Sequence, residues 1–268
     1  MAKMEMGLEG QRVVVIGGAQ GIGWSTAEVF SEEGADVVIW DRQRPIPSVN
    51  PSLSKAWEFH PVDVTKIESL EEALAATRQS GTTPRHVVLT AAIGSGRFGF
   101  PFDRLSPEDW RAILEVNIMG MVHVAHLFAE LMRRERGGSM TFLGSVAGQM
   151  GSQTDPPYSA SKAANINFMQ CLAKDLAPYQ VRVNIVNPGM VQTSLNRSVW
   201  AASQEGLTAD QQESYENWAM AKIQRVVPLG RWQTAREVAS MIVYLASKHG
   251  ASITGQCLNV DGGFVMRG

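Results

Sequence analysis

The run Arg12-Val-Val-Val-Ile16 leads directly into Gly17-Gly-Ala-Gln-Gly21-Ile-Gly23. The first part is short, β-branched and uninterrupted, the pattern of a parallel strand buried on both faces. The second part is a glycine turn that opens an amphipathic stretch at residues 22–33. Similar strand-like runs lie at 37–40, 87–90, 140–143, 181–186 and 257–260, with a weaker one at 57–60. Helix-like segments separate them at 67–79, 107–136, 158–177 and 235–247. Ser106-Pro-Glu-Asp109 is a helix start, with a capping serine, proline in the first turn and an acid three residues on. This alternation predicts an α/β fold, a doubly wound parallel sheet with helices on both faces. No repeat, low-complexity tract or linker divides the 268 residues, so 1–268 reads as one domain. Residues 194–228 follow a strand and hold Trp200, Tyr215, Trp218 and Met220, with helical spacing over 209–224. They are expected to form a small helical lid over the strand carboxyl ends, where ligands of such sheets bind.

Composition excludes several functions. Hydrophobic residues are 44% and charged residues 19%, within the globular range. Lys and Arg number 24 against 26 Asp and Glu, so no basic excess favours nucleic acid as a partner. Cys171 and Cys257 are too few for a disulfide framework or a four-ligand zinc site. The sequence reading finds no membrane span and no apolar leader, which gives a cytoplasmic expectation.

The glycine turn points to a dinucleotide. Glycine permits the tight turn, the close approach of a pyrophosphate and close helix–strand packing, and the helix N-terminus offers N–H groups to phosphate. The spacing is G-x-x-x-G-x-G, and the strand–turn–helix context gives it meaning that a lone glycine pattern lacks. Asp41 ends the second strand-like run, where a carboxylate accepts from ribose hydroxyls and repels a 2′-phosphate. Gln20 supplies no positive clamp, whereas Arg42 offers one charge to a phosphate. NAD is therefore expected over NADP.

Tyr158 and Lys162 stand on one helix face. A phenol titrates near 10 unaided. A nearby ammonium favours the phenolate, which can then take a proton from an alcohol. Tyr244 and Lys248 repeat the spacing near a helix end with no serine-bearing strand before them, so spacing alone is not enough. The first pair is preceded by Ser145 at a strand end, in Leu143-Gly-Ser-Val-Ala-Gly148, and by Asn117 within the long helix segment. Asn187-Pro-Gly189 ends the next strand, and Gly255-Gln-Cys-Leu-Asn-Val-Asp-Gly-Gly263 closes the chain.

With these motifs in this order, the chain resembles the short-chain dehydrogenase/reductase family over essentially its full length. The resemblance implies a Rossmann-type sheet and a catalytic set of Asn117, Ser145, Tyr158 and Lys162. In that set Tyr158 is the acid/base and Ser145 orients the substrate oxygen. Lys162 binds the nicotinamide ribose and lowers the tyrosine pKa, and Asn117 holds a water in a relay to Lys162. The implied cofactor contacts are Gly17, Gln20, Gly21, Ile22, Gly23, Asp41, Arg42, Asp63, Val64, Ala91, Tyr158, Lys162, Pro188, Gly189, Val191 and Thr193. Asp63 and Val64 resemble the adenine pair, and Pro188 to Thr193 the nicotinamide segment. Two positions depart from the family pattern. Ile16 replaces the usual threonine, and Leu89-Thr-Ala-Ala92 replaces an Asn-Asn-Ala-Gly run, keeping only Ala91. Loss of those amides bears on local hydrogen bonds and cofactor affinity and leaves the chemistry in place.

The substrate side is expected to hold Ser95, Arg97, Gln149, Met150, Gln153, Met190 and Trp200, with the stiff Asp155-Pro-Pro157 approach as one wall. The lid aromatics suggest a small or medium secondary alcohol, hydrophobic or aromatic. One alternative is a 3-oxoacyl-carrier-protein reductase using NADPH, for which Arg133, Arg134 and Arg136 offer a small basic cluster. Another is a non-catalytic dinucleotide-binding protein. His123 and His126 read as helix-interface residues, and no metal is expected. A homotetramer is expected from the resemblance and the apolar long helix.

Overall fold

The computed structural model describes residues 4–45, 57–97, 102–152 and 154–266. Seven parallel strands form one sheet in the order β3-β2-β1-β4-β5-β6-β7. They are β1 (Arg12–Ile16), β2 (Asp36–Asp41), β3 (Glu58–Pro61), β4 (His86–Leu89), β5 (Gly138–Leu143), β6 (Val181–Pro188) and β7 (Cys257–Val260). The weakest sequence signal, around 57–60, is the edge strand β3. The helices are α1 (Gly21–Glu32), α2 (Ile67–Ser80), α3 (Pro107–Leu114), α4 (Gly120–Glu135), α5 (Pro156–Leu176), α6 (Ser194–Gln204), α7 (Tyr215–Val226) and α8 (Ala235–Ala246).

The β-branched strands are buried on both faces. Val13 and Val15 join a core with Phe30 of α1 and Ile242 of α8. Val14 and Ile16 join the opposite core with Leu70 of α2, Phe128 of α4 and Met169 of α5. The strand order reverses between β1 and β4. A crevice opens there at the carboxyl ends, where this architecture binds ligands.

Three expectations are corrected. The predicted helix over 107–136 is interrupted by a π turn at Glu115–Met119. A π turn adds one residue to a helical loop and often marks a functional position; this one carries Asn117. By length and apolarity the segment Pro107–Glu135 does pass as a bilayer span, against the sequence reading. Here its Met121, Val124, Phe128 and Met132 lie in the protein core. The segment expected as a lid holds two helices, α6 and α7, instead of one over 209–224. Ser214 accepts from Asn217 N and starts α7 late, because Gln211 and Gln212 turn back onto Thr208 before it.

Candidate active site

The glycine turn is shaped by contact as much as by conformation. Gly17 has φ +84°, and a Cβ there would lie 2.4 Å from Ala91 N. A Cβ on Gly23 would lie 2.1 Å from Gly17 O, so α1 starts tight against the turn. Gln20 is the N-cap of α1 and makes no side-chain cap bond. The first-turn N–H groups at Gly21 and Ile22 are thus left to an outside acceptor, as anion sites at helix starts require. The departures from the family pattern are compensated locally. Thr90 Oγ1 lies 3.0 Å from the carbonyls of both Ile16 and Gly17 and donates where an amide would. Thr90 N and Ala91 N also donate to Ile16 O.

Asp41 stands at the lip of this turn. Its Oδ2 accepts from Ala19 N at 3.0 Å and its Oδ1 from Gln43 N at 3.0 Å, and each oxygen keeps a further lone pair. Arg42 is exposed beside it. Asp63 Oδ1 accepts from Thr65 N and Oγ1. Burial works to raise this carboxyl, but the Thr65 bonds and the charges of Arg42 and Lys66 hold it below the ordinary value. Val64 is buried, and His123 Nδ1 on α4 donates to its carbonyl at 2.9 Å. That bond makes His123 the fastener of the expected adenine segment, consistent with its reading as an interface residue. The residues that would hold a dinucleotide therefore fit one: a steric cradle of glycines, an open helix start and an acceptor at the ribose position.

On the other side of the crevice, Gly189 N donates to Val260 O at 3.1 Å. Met190 N donates to Gln233 Oε1 at 2.9 Å, and Val191 pairs with Gln233 through the backbone. Thr193 caps α6 through Asn196 N. Pro188 to Thr193 is thus fixed from β7 and from the buried Gln233, a residue that no sequence signal singled out.

Three of the four catalytic candidates interlock around the first turns of α5. Ser145, after β5, is held by a bond from Ala147 N at 3.1 Å and reaches the Tyr158 hydroxyl. Lys162 is 2% exposed, and its Nζ donates to Leu143 O at 2.7 Å. That Nζ lies 5.5 Å from the centre of the Tyr158 ring. Asn117 is placed differently from expectation. Its Nδ2 donates to Ile93 O and Ser161 Oγ, and its Oδ1 accepts from Ile93 N, so it grips the Ile93 backbone and the neighbour of Lys162.

The electrostatics also differ from what the resemblance implies. Burial pushes the Tyr158 phenol up to about 12; the Ser145 bond pulls it down and the Asp155 charge pushes it up. Burial pulls Lys162 down to about 8. An ammonium that is itself costly to keep charged, and is turned to the Leu143 carbonyl, does not lower the phenol in this state.

Several expected substrate contacts face elsewhere. Gln149 turns inward, accepting from Asn259 Nδ2 and donating to Cys257 Sγ. Met190 is buried against Ile223 and Val227. Trp200 donates its indole N–H to Glu213 O and sits edge-on to Tyr215, so it latches the two lid helices together. Arg97 is turned to Asp109 at 3.4 Å. Ser95 N donates to Asp155 Oδ2, and Met150 is 43% exposed. Gln153 lies outside the described residues.

Residues 17–265 match the family model described as enoyl-(acyl carrier protein) reductase. The chain is 31% identical over 258 residues to an NAD-dependent glycerol dehydrogenase of Listeria innocua, covering 95% of this chain and 93% of that protein. It is 32% identical over 269 residues to the 3-oxoacyl-(acyl-carrier-protein) reductase FabG of Thermotoga maritima, covering 97% and 100%. The solved L-sorbose reductase of Gluconobacter frateurii, complexed with NADPH and L-sorbose, superposes with a TM-score of 0.85 at 27% identity, covering 98% and 100%. Matching the family model over residues 17–265 and these relatives over nearly their whole length, the chain belongs to the short-chain dehydrogenase/reductase family of oxidoreductases.

Proposed function

We propose that this chain interconverts a secondary alcohol and a ketone with NAD(H), Tyr158 serving as the acid/base. The observation that carries the proposal is the cluster of Ser145, Tyr158 and Lys162 at the strand carboxyl ends, beside a glycine cradle built for a dinucleotide. A bound nicotinamide dinucleotide would supply the hydride acceptor or donor.

The chain's own groups handle the proton and the orientation. Ser145 Oγ bonds the phenol and stands where a substrate oxygen would be shared between the two hydroxyls. Tyr158 removes the alcohol proton in oxidation and returns one to the carbonyl oxygen in reduction. At about 12 the phenol is protonated at neutral pH, which suits reduction as the structure stands. Oxidation requires the phenolate to be favoured when the positive nicotinamide ring enters the site. Lys162 and Asn117 fix the geometry, the first through Leu143 O and the second through Ile93. The proposed lid, 194–228, closes the site from the β6 side.

NAD is favoured by the Asp41 carboxylate at the turn, and the glycerol dehydrogenase relative is named NAD-dependent. Arg42 gives NADP a weaker claim. The lid aromatics pack on one another and no longer argue for an aromatic substrate. A small hydroxylated alcohol is in keeping with the glycerol and sorbose named for two relatives. A second reading, an acyl-carrier-protein ketoreductase, draws on the FabG relative.

Absorbance of NADH formed from a panel of polyols, plain secondary alcohols and hydroxyacyl thioesters tests the proposal. Tyr158→Phe should cut turnover by about 10²- to 10⁴-fold, the range of a lost general acid/base, and leave NAD⁺ binding unchanged. A variant that turns over normally would refute the assignment, and exclusive use of thioesters with NADPH would favour the second reading. A homotetramer belongs to the same proposal and is checked by light scattering.

A further inference from the structure

We infer that Asp155 is a positioning residue for the proposed reaction: its buried carboxylate ties the Ser95 loop to the first turn of α5 at Tyr158. This rests on the reading of Tyr158 as acid/base.

Asp155 is 6% exposed and is the N-cap of α5. Its Oδ1 accepts from Tyr158 N at 3.4 Å, and its Oδ2 accepts from Ser95 N at 2.8 Å. A cap alone does not need a carboxylate. Ser106, Ser214 and Thr234 cap α3, α7 and α8 in this chain with hydroxyls. Burying a carboxylate is costly unless its oxygens are bonded, and here the second oxygen is used to hold a different segment. Two residues earlier the same loop is gripped at Ile93 by Asn117. The segment from Ile93 to Ser95 is therefore fastened at both ends to the elements that carry the catalytic groups, and the substrate wall and Tyr158 are held as one body.

The charge has a separate consequence. Burial pushes the Asp155 carboxyl up, while the bonds from Ser95 and Tyr158 pull it down. Its negative charge raises Tyr158. Of the neighbouring charges, Lys162 Nζ stands 5.5 Å from the centre of the Tyr158 ring, and Arg97 of the Ser95 loop is paired with Asp109 of α3.

Two variants test both roles. Asp155→Asn keeps the size and the cap oxygen, removes the charge and sets an amide NH2 against Ser95 N, which then has nothing to donate to. Asp155→Ser keeps a cap oxygen but is too short to reach Ser95. With saturating NAD⁺ and the best alcohol of the panel, the pH midpoint of kcat should move to lower pH by about half a unit in both variants, the scale of one nearby charge. In both variants, which lose the Ser95 tie, the alcohol KM should also rise about fivefold while the NAD⁺ KM holds. A midpoint that stays at the wild-type pH in both variants, or an NAD⁺ KM that rises in step with the alcohol KM, would overturn the inference alone. Turnover that survives Tyr158→Phe would overturn the acid/base reading and this inference with it.

Discussion

Replacing Lys162 with methionine should make the protein more stable at pH 7 while abolishing its chemistry. The ammonium is 2% exposed, and burial holds its pKa at about 8 against an ordinary 10.5. The folded state therefore releases this proton more readily than the unfolded chain. The resulting contribution to stability is present above about 10.5 and is lost as pH falls through about 8. At pH 7 both states are protonated, and a shift from 10.5 to about 8 corresponds to about 3 kcal/mol against folding. By pH 9.5 that penalty has fallen to about 1 kcal/mol. Methionine keeps the length and apolar stem but leaves Leu143 O without its donor, a loss of about 1–2 kcal/mol. The balance is a gain of about 1–2 kcal/mol at pH 7 and none by pH 9.5. At about 2 °C per kcal/mol for a chain of this size, Tm should rise by about 2–4 °C at pH 7. Scanning calorimetry of both proteins between pH 6 and 9.5 reads the difference. A variant that melts below wild type by the same margin across that range would show that the buried ammonium costs nothing and that its bond to Leu143 O outweighs burial. The expected outcome would identify Lys162 as a group kept for function against its own effect on stability.

Thr90→Val removes the hydroxyl that bonds the Ile16 and Gly17 carbonyls, and should cost about 1 kcal/mol of stability with weaker NAD⁺ binding by isothermal titration. Unchanged binding would show that the turn does not need that bond. Asp41→Ser should lower the NAD⁺ preference and raise turnover with NADP⁺ about tenfold or more, measured as the ratio of kcat/KM for the two cofactors. His86 is buried, with its pKa pulled down to about 3 by burial and by the charges of Arg182 and Arg85. Stability that it supports above about 6.5 should be lost as pH falls from there towards 3. His86→Gln should flatten that acid limb in urea titrations, and an unaltered limb would place the acid sensitivity elsewhere.

What the sequence made legible is what local chemistry determines. The glycine turn, the strand runs and the Ser106 helix start each depend on neighbours within a few residues. They fall where expected, with strand ends moved by one or two positions. Asn117 was recognised as a residue but not as the centre of a π turn, because a 3.6-residue period cannot register one inserted residue. Direction was the harder quantity. Trp200 and Gln149 were read as pocket-lining from type and position, yet each spends its polar atoms on the scaffold, at Glu213 O and at Asn259 and Cys257. Conversely, His123 and Gln233 steady the two ends of the cofactor crevice through bonds to Val64 O and Met190 N, across 59 and 43 residues of chain. Nothing in their own surroundings announces such contacts, since a side chain's partner at that distance is chosen by the sheet order. The site is accordingly a local code for chemistry, set in a frame whose precision comes from long-range bonds. Variation at His123, Gln233 or Asp155 should therefore tune binding and pH response more readily than reaction class.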